Sequence, residues 1–190
     1  TGSGTQTNMN VNEVVANRAN EILGGNLGEY KFVHPNDHVN MSQSTNDTFP
    51  TAILVGCVLS VEDNLLPILS LLEKSLQKKS REFDKIIKVG RTHLQDATPI
   101  KLGQEFSGYA SMISNDIKRI KLAVKECAEL PIGGTAVGTG INTLEGFDTL
   151  VCSFITEETD IEFSVCTNKF ELLSSQNPLS NLSSQLKICA

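Results

Sequence analysis

The sequence has no CxxC pair, no excess of positive charge, no GxSxG or GK[ST] motif, and no apolar run near the length of a membrane span. Each absence removes a class. The five cysteines, Cys57, Cys127, Cys152, Cys166 and Cys189, are odd in number, scattered and mostly set in apolar segments. That pattern fits reduced, buried thiols in an intracellular compartment rather than a disulfide framework. A formal net charge of −6 argues against nucleic acid or an anionic membrane as partner. It leaves an anionic small molecule open, because local donors decide that. Spanning helices need about 20 apolar residues, so none is expected, and no signal peptide is visible. The chain opens Thr1-Gly2-Ser3 without Met and is read as a processed or truncated piece. At 190 residues and 39% hydrophobic, it can bury a core in one or two domains.

What is present is helical periodicity. Leu54, Val58, Val61, Leu65, Ile68, Leu72 and Leu76 alternate spacings of four and three, predicting one long helix over 47–83. Pro50 is placed in its first turn, where a missing N–H does little harm, and Pro67 predicts a kink. Phe106, Ala110, Ile113, Ile117, Ile120, Val124 and Cys127 repeat the pattern and predict a second helix over 103–130. Two such helices argue for an all-α bundle rather than an α/β fold. A shorter amphipathic helix is expected over 11–22, ended by Gly24-Gly25. Others are expected over 146–159 and at NKFELL, with a poorly helical tail from Pro178. The four glycines of PIGGTAVGTGINT suit a tight interhelical turn needing positive φ better than a phosphate cradle.

The polar residues gather in three loops. HPNDHVNMSQSTNDTFP, from His34 to Pro50, runs up to the start of the first long helix. Ser3, Thr5, Thr7 and Asn8 are placed before the helix over 11–22, and Arg91-Thr92-His93-Leu94-Gln95-Asp96 lies between the two long helices. Ser3, Thr5, Asn8, His34, Asn36, Ser44, Thr45, Asn46, Thr92 and His93 supply hydroxyl, amide and imidazole groups without a carboxylate cluster. Such donors suit a dicarboxylate, and they stabilise charge that builds up beside a carboxylate during reaction. Proton abstraction then falls to a histidine or to a hydroxyl made basic by its surroundings. Solvated caps and loops use the same residue types. A metal site at His34 and His38 has no glutamate or cysteine to complete it, and Pro35-Asn36-Asp37 reads as a turn.

The motifs SGTQTNMN, HPNDHVNMSQSTNDTFPTA, GRTHLQDATP, LGQEFSGY, GGTAVGTG and NKFE together resemble class II fumarate hydratases of the fumarase/aspartase superfamily, in that family's order. HPND and STND are shared with aspartases. His93 separates the two, since aspartases usually carry Gln after GRT. The resemblance implies an all-α, long-helix bundle, incomplete at both ends. Residues 1–43 would close an N-terminal domain and 44–190 would form part of the central bundle. It also implies reversible hydration of fumarate to L-malate in the tricarboxylic acid cycle, with no metal or organic cofactor. Ser3, Gly4, Thr5, Ser44, Thr45, Asn46 and Thr92 would bind substrate carboxylates, and His93 would be the catalytic histidine. His34, Pro35, Asn36 and Asp37 would form a second, peripheral dicarboxylate site. The family assembles as homotetramers with shared active sites, in the mitochondrial matrix or the cytoplasm. Thr45 stands where these enzymes mostly have Ser. Their later SSxMPxKxNP loop, which carries the catalytic serine, is absent from the chain, so no activity is expected of it alone. The rival readings are an aspartate ammonia-lyase or related fumarate-forming lyase, and a non-catalytic helical oligomerisation module.

Overall fold

The computed structural model describes residues 4–190, so Ser3 lies outside the described residues. They form seven α-helices: α1 Thr5–Ile22, α2 Thr45–Ser60, α3 Leu66–Glu82, α4 Leu102–Cys127, α5 Phe147–Thr159, α6 Lys169–Ser174 and α7 Asn177–Cys189. Two short strand pairs accompany them. β1 Ile87–Thr92 and β2 Gln95–Lys101 make an antiparallel hairpin, while β3 Glu129–Leu130 and β4 Ser164–Val165 pair in parallel. The fold is all-α, as the periodicity predicts. The chain divides into two compact units, one made of the chain up to Gly56 with Cys127–Asn177, the other of Cys57–Glu126 with Pro178–Ala190.

The first apolar stripe holds only in part. Leu54, Val58 and Val61 are buried, but Ile68 is 63% and Leu72 43% exposed, while Leu66 and Leu69 are buried instead. A π-helical turn over Val61–Leu65 joins α2 to α3. That wider turn inserts one residue into the repeat, so the buried positions move on by one. Pro67, where a kink is expected, falls in the first turn of α3 directly after this π-helical turn. By length and composition alone the continuous helix Thr45–Glu82 would suffice to cross a membrane. That differs from the expectation that none would; Glu62 and Asp63 interrupt its apolar residues. The second stripe is kept: Ala110, Ile117, Ile120, Val124 and Cys127 are all buried along α4.

Three boundaries depart from expectation. α1 starts at Thr5, with Gly4 as its left-handed N-cap at φ 89°, so Thr5, Thr7 and Asn8 are helical rather than loop residues. α2 starts at Thr45, which puts Pro50 in its second turn and leaves the Asn46 carbonyl without its usual helical donor. The tail is helical, because Pro178 falls in the first turn of α7, where it does no harm, and Leu182 supplies a buried anchor.

Within the second unit, α3 and α4 meet at Gly103. A Cβ there would lie 2.3 Å from the Ser80 carbonyl oxygen, so only glycine permits the approach. The Ser80 hydroxyl donates to the Gly103 carbonyl at 2.8 Å. This junction carries the β1–β2 hairpin.

Candidate functional site

In the first unit, two of the expected substrate segments are brought together. A Cβ on Gly4 would sit 2.5 Å from the Phe49 ring, so the start of α1 lies directly on the first turns of α2. Asn8 Nδ2 donates to Thr45 Oγ1 at 2.9 Å and to Asn40 Oδ1 at 3.3 Å. Asn12 Nδ2 also donates to Asn40 Oδ1, at 3.0 Å. Asn8 and Asn12 are 9% and 6% exposed; buried amides of this kind persist only when satisfied. Because the Thr45 oxygen accepts from Asn8, its own proton is left to donate. Thr45 and Ser44 are half-buried and Asn46 is exposed.

The Ser44-Thr45-Asn46-Asp47 sequence closes a reciprocal cap at the head of α2. Ser44 Oγ accepts from the Asn46 N–H at 3.3 Å, and the Ser44 N–H donates to Asp47 Oδ1 at 2.9 Å. The Asn46 amide donates to the Ala136 carbonyl at 2.7 Å, tying this segment to the glycine-rich turn. Gly133, Gly138 and Gly140 of that turn have positive φ, as expected of an interhelical connection. Asp47 was not among the residues read as functional; the S-x-x-D pattern before an apolar run is the signal that could have found it.

His34 caps a short π-helical turn over Pro35–Val39. Its Nδ1 accepts from the N–H groups of Asn36 and Asp37 at 3.3 and 3.4 Å and lies 3.3 Å from Asp37 Oδ2. Pro35 is buried, while Asn36 and Asp37 are exposed. The segment expected to be a plain turn is thus helical, but His38 turns Nδ1 inward to accept from the His34 N–H at 2.8 Å. Among the described residues, no group of three His, Cys, Asp or Glu side chains is arranged to hold a metal ion. Asn40, immediately after this turn, links it to Asn8 and Asn12.

In the second unit, Thr92 ends β1 and His93-Leu94 form the two-residue hairpin turn. Both have positive φ, 48° and 62°, as a tight hairpin turn matching strand twist requires. His93 is exposed and Leu94 is 96% exposed. A histidine held by a neighbouring acceptor can act in proton transfer near neutral pH. Here Asp96 pairs with Arg91 at 3.3 Å, and His93 has no such partner among the described residues. The hairpin is anchored at its base, where Lys88 pairs with Glu105, and the Tyr109 hydroxyl donates to Glu105 at 2.7 Å. The Lys88 and Tyr109 bonds hold the Glu105 carboxyl below its usual range, and Glu105 in turn pushes the Tyr109 hydroxyl up. Gln104 Oε1 accepts from the Lys101 N–H at 2.9 Å. LGQEFSGY is therefore the foot of the hairpin.

The NKFE motif is likewise structural. Asn168 caps α6 by accepting from the Glu171 N–H at 3.2 Å, and Lys169 pairs with Asp148. Lys169 and Asp148 border a polar cavity of about 250 Å³ lined also by Gly133, Thr139 and Thr143. Burial pushes the Asp148 carboxyl up, but the Lys169 and Thr149 bonds outweigh it and hold it below its usual range. Beside it, burial raises the Cys152 thiol to about 11, with the Asp148 charge adding to the rise. The folded state thus holds this proton more tightly than the unfolded chain. Its contribution is intact below pH about 9 and is lost as pH rises toward about 11, by at most about 2–3 kcal/mol. Denaturant titrations across this range should show that loss in the full-length protein, and Cys152→Ala should flatten it. Equal slopes would assign the alkaline loss to other groups.

The all-α scaffold thus presents hydroxyl and amide donors at helix starts in its first unit and an exposed histidine at a hairpin tip in its second. The chain belongs to the lyase family, whose profile matches residues 1–190. It is 55% identical over its whole length to the mitochondrial fumarate hydratase of Schizosaccharomyces pombe, covering 36% of that protein. To the corresponding Saccharomyces cerevisiae protein it is 52% identical, again over its whole length and over 39% of the relative. The recombinant class II fumarase of Schistosoma mansoni superposes with a TM-score of 0.96 at 42% identity, covering 99% of this chain and 42% of that one. The chain spans less than two fifths of the length of these two curated relatives.

Proposed function

We propose that this chain is the central segment of a class II fumarate hydratase, which reversibly hydrates fumarate to L-malate. The observation that carries the reading is the pairing of Asn8 with Thr45 at 2.9 Å. It joins the SGTQTNMN and STND segments into one group of donors, in a chain 55% identical to a fumarate hydratase throughout. Gly4, Thr5, Ser44, Thr45 and Asn46 bind the substrate carboxylates with Ser3 and Thr92, and His93 serves proton transfer. His34, Pro35, Asn36 and Asp37 form a peripheral dicarboxylate site. The protein works as a homotetramer with shared active sites, in the mitochondrial matrix or the cytoplasm, without a metal or organic cofactor. The exposed Val11 and Val14 on α1 and Leu94 at the hairpin tip, 55%, 61% and 96% accessible, support contacts beyond one chain.

The test is ultraviolet loss of fumarate with the full-length protein and no added metal, repeated with ammonia and with this chain alone. Hydration is expected from the full-length protein and none from this chain alone, which spans less than two fifths of these relatives. Turnover that requires ammonia would convert the reading to an aspartate ammonia-lyase. An inert full-length tetramer that binds no dicarboxylate would leave an oligomerisation module.

A further inference from the structure

We propose that Asp47 is a positioning residue that clamps the Ser44, Thr45 and Asn46 donors onto the glycine-rich turn 133–140. This rests on reading those donors as substrate-binding. Asp47 is fully buried, and its carboxylate is shared between two segments far apart in sequence. Oδ1 accepts from the Ser44 N–H at 2.9 Å, while the nearby Thr48 hydroxyl gives its proton to the Ser44 carbonyl at 2.6 Å. Oδ2 accepts from the N–H groups of Gly133 at 3.1 Å and Thr135 at 2.8 Å. A helix cap needs only the first oxygen. The second reaches across the chain, and among the described residues no Lys, Arg or His forms an ion pair with this carboxylate. Three backbone N–H groups satisfy a buried carboxylate without a counter-cation, each bond strengthened by the charge.

The turn on the far side of the clamp is stiff. A Cβ on Gly133 would lie 2.7 Å from Asp148 Cβ, and one on Gly138 would lie 2.8 Å from the Phe170 ring. Thr135 is held at φ 55°, a conformation that β-branched residues avoid. Such an outlier persists only where its surroundings over-determine it, and the bond from its N–H to Asp47 is part of that constraint. The Asn46 amide bond to Ala136 adds a second tie. Asp47 thus transfers the rigidity of the turn to the donors before any substrate arrives, which is what separates a preorganised site from a solvated loop.

The experiment is Asp47→Asn in the full-length protein, with Ile120→Val in the core of α4 as a control for lost stability. The amide keeps one acceptor oxygen and turns an NH2 toward N–H donors whichever way it sits. We expect kcat/KM for fumarate to fall about 100-fold, with KM carrying at least a tenfold rise, while Ile120→Val leaves KM unchanged. An unchanged KM in Asp47→Asn, with a lowered melting temperature only, would reduce Asp47 to a structural residue. Hydrogen exchange on the unliganded wild type needs no variant to fold. The Ser44, Gly133 and Thr135 amides should exchange at least about 1,000-fold more slowly than in an unstructured peptide, and free exchange there would overturn the clamp. If the wild type hydrates no fumarate, the functional reading fails while the exchange result still decides the clamp.

Discussion

Replacing His93 with Asn in the full-length protein should lower kcat for fumarate hydration by about 100- to 10,000-fold, the range of a lost general acid–base group. The structure makes this substitution clean. His93 is exposed and sits at φ 48° in a hairpin turn, and Asn adopts positive φ more readily than most residues. No packing is lost and the turn is kept, so the melting temperature should not move. A fall in turnover would then report proton transfer rather than folding. His34→Asn is the natural comparison, because Asn is also a good helix cap and should preserve the turn over Pro35–Val39. Its effect should be far smaller if that turn forms a peripheral site. Near-normal turnover in His93→Asn would remove the residue from the mechanism, and a collapse in His34→Asn would merge the two sites.

The long helices were legible because their apolar spacing persists over many turns. The α4 stripe from Ala110 to Cys127 is buried much as its spacing predicts. The α2–α3 stripe fails beyond Val61 because one π-helical turn shifts the phase, and no residue type announces such a turn. The β1–β2 hairpin was not read at all. Ile87 and Val89 alternate with Lys88 and Gly90, but Arg91 and Thr92 follow, so the alternation is too short to mark a strand. Gly90 sits at a register shift between Val89 and Arg91, which breaks the pattern further. In the candidate site, hydroxyls and histidines draw attention by their chemistry, while a single Asp47 draws none. Its partners Gly133 and Thr135 lie 86 and 88 residues away, and only folding reveals them. The resemblance to fumarate hydratases supplied roles for His93 and Thr45 that spacing could not. It said nothing of how Asn8 holds Thr45.

That bond makes Thr45→Val the second variant with a large expected effect. Val matches Thr in shape but removes the hydroxyl, and with it the proton that the Asn8 bond leaves free to donate. It also leaves Asn8 Nδ2 with only the longer bond to Asn40 Oδ1, at 3.3 Å. Loss of one preorganised donor at a site of developing charge lowers kcat/KM by about 100- to 1,000-fold, and that is the expected result for fumarate in the full-length protein. Thr45→Ser separates the hydroxyl from the methyl. Serine keeps both the acceptor for Asn8 and the proton for substrate, so its kcat/KM should stay within a few-fold of wild type. The pair therefore reads one atom. If Thr45→Ser fell as far as Thr45→Val, the methyl packing rather than the hydroxyl would matter. If neither fell, the start of α2 would be a helix cap with no part in binding. The Asn8 bond adds a third reading of the same geometry. Asn8→Ala removes the donor that fixes the Thr45 oxygen yet leaves the hydroxyl in place, so its loss should lie between those of the two Thr45 variants.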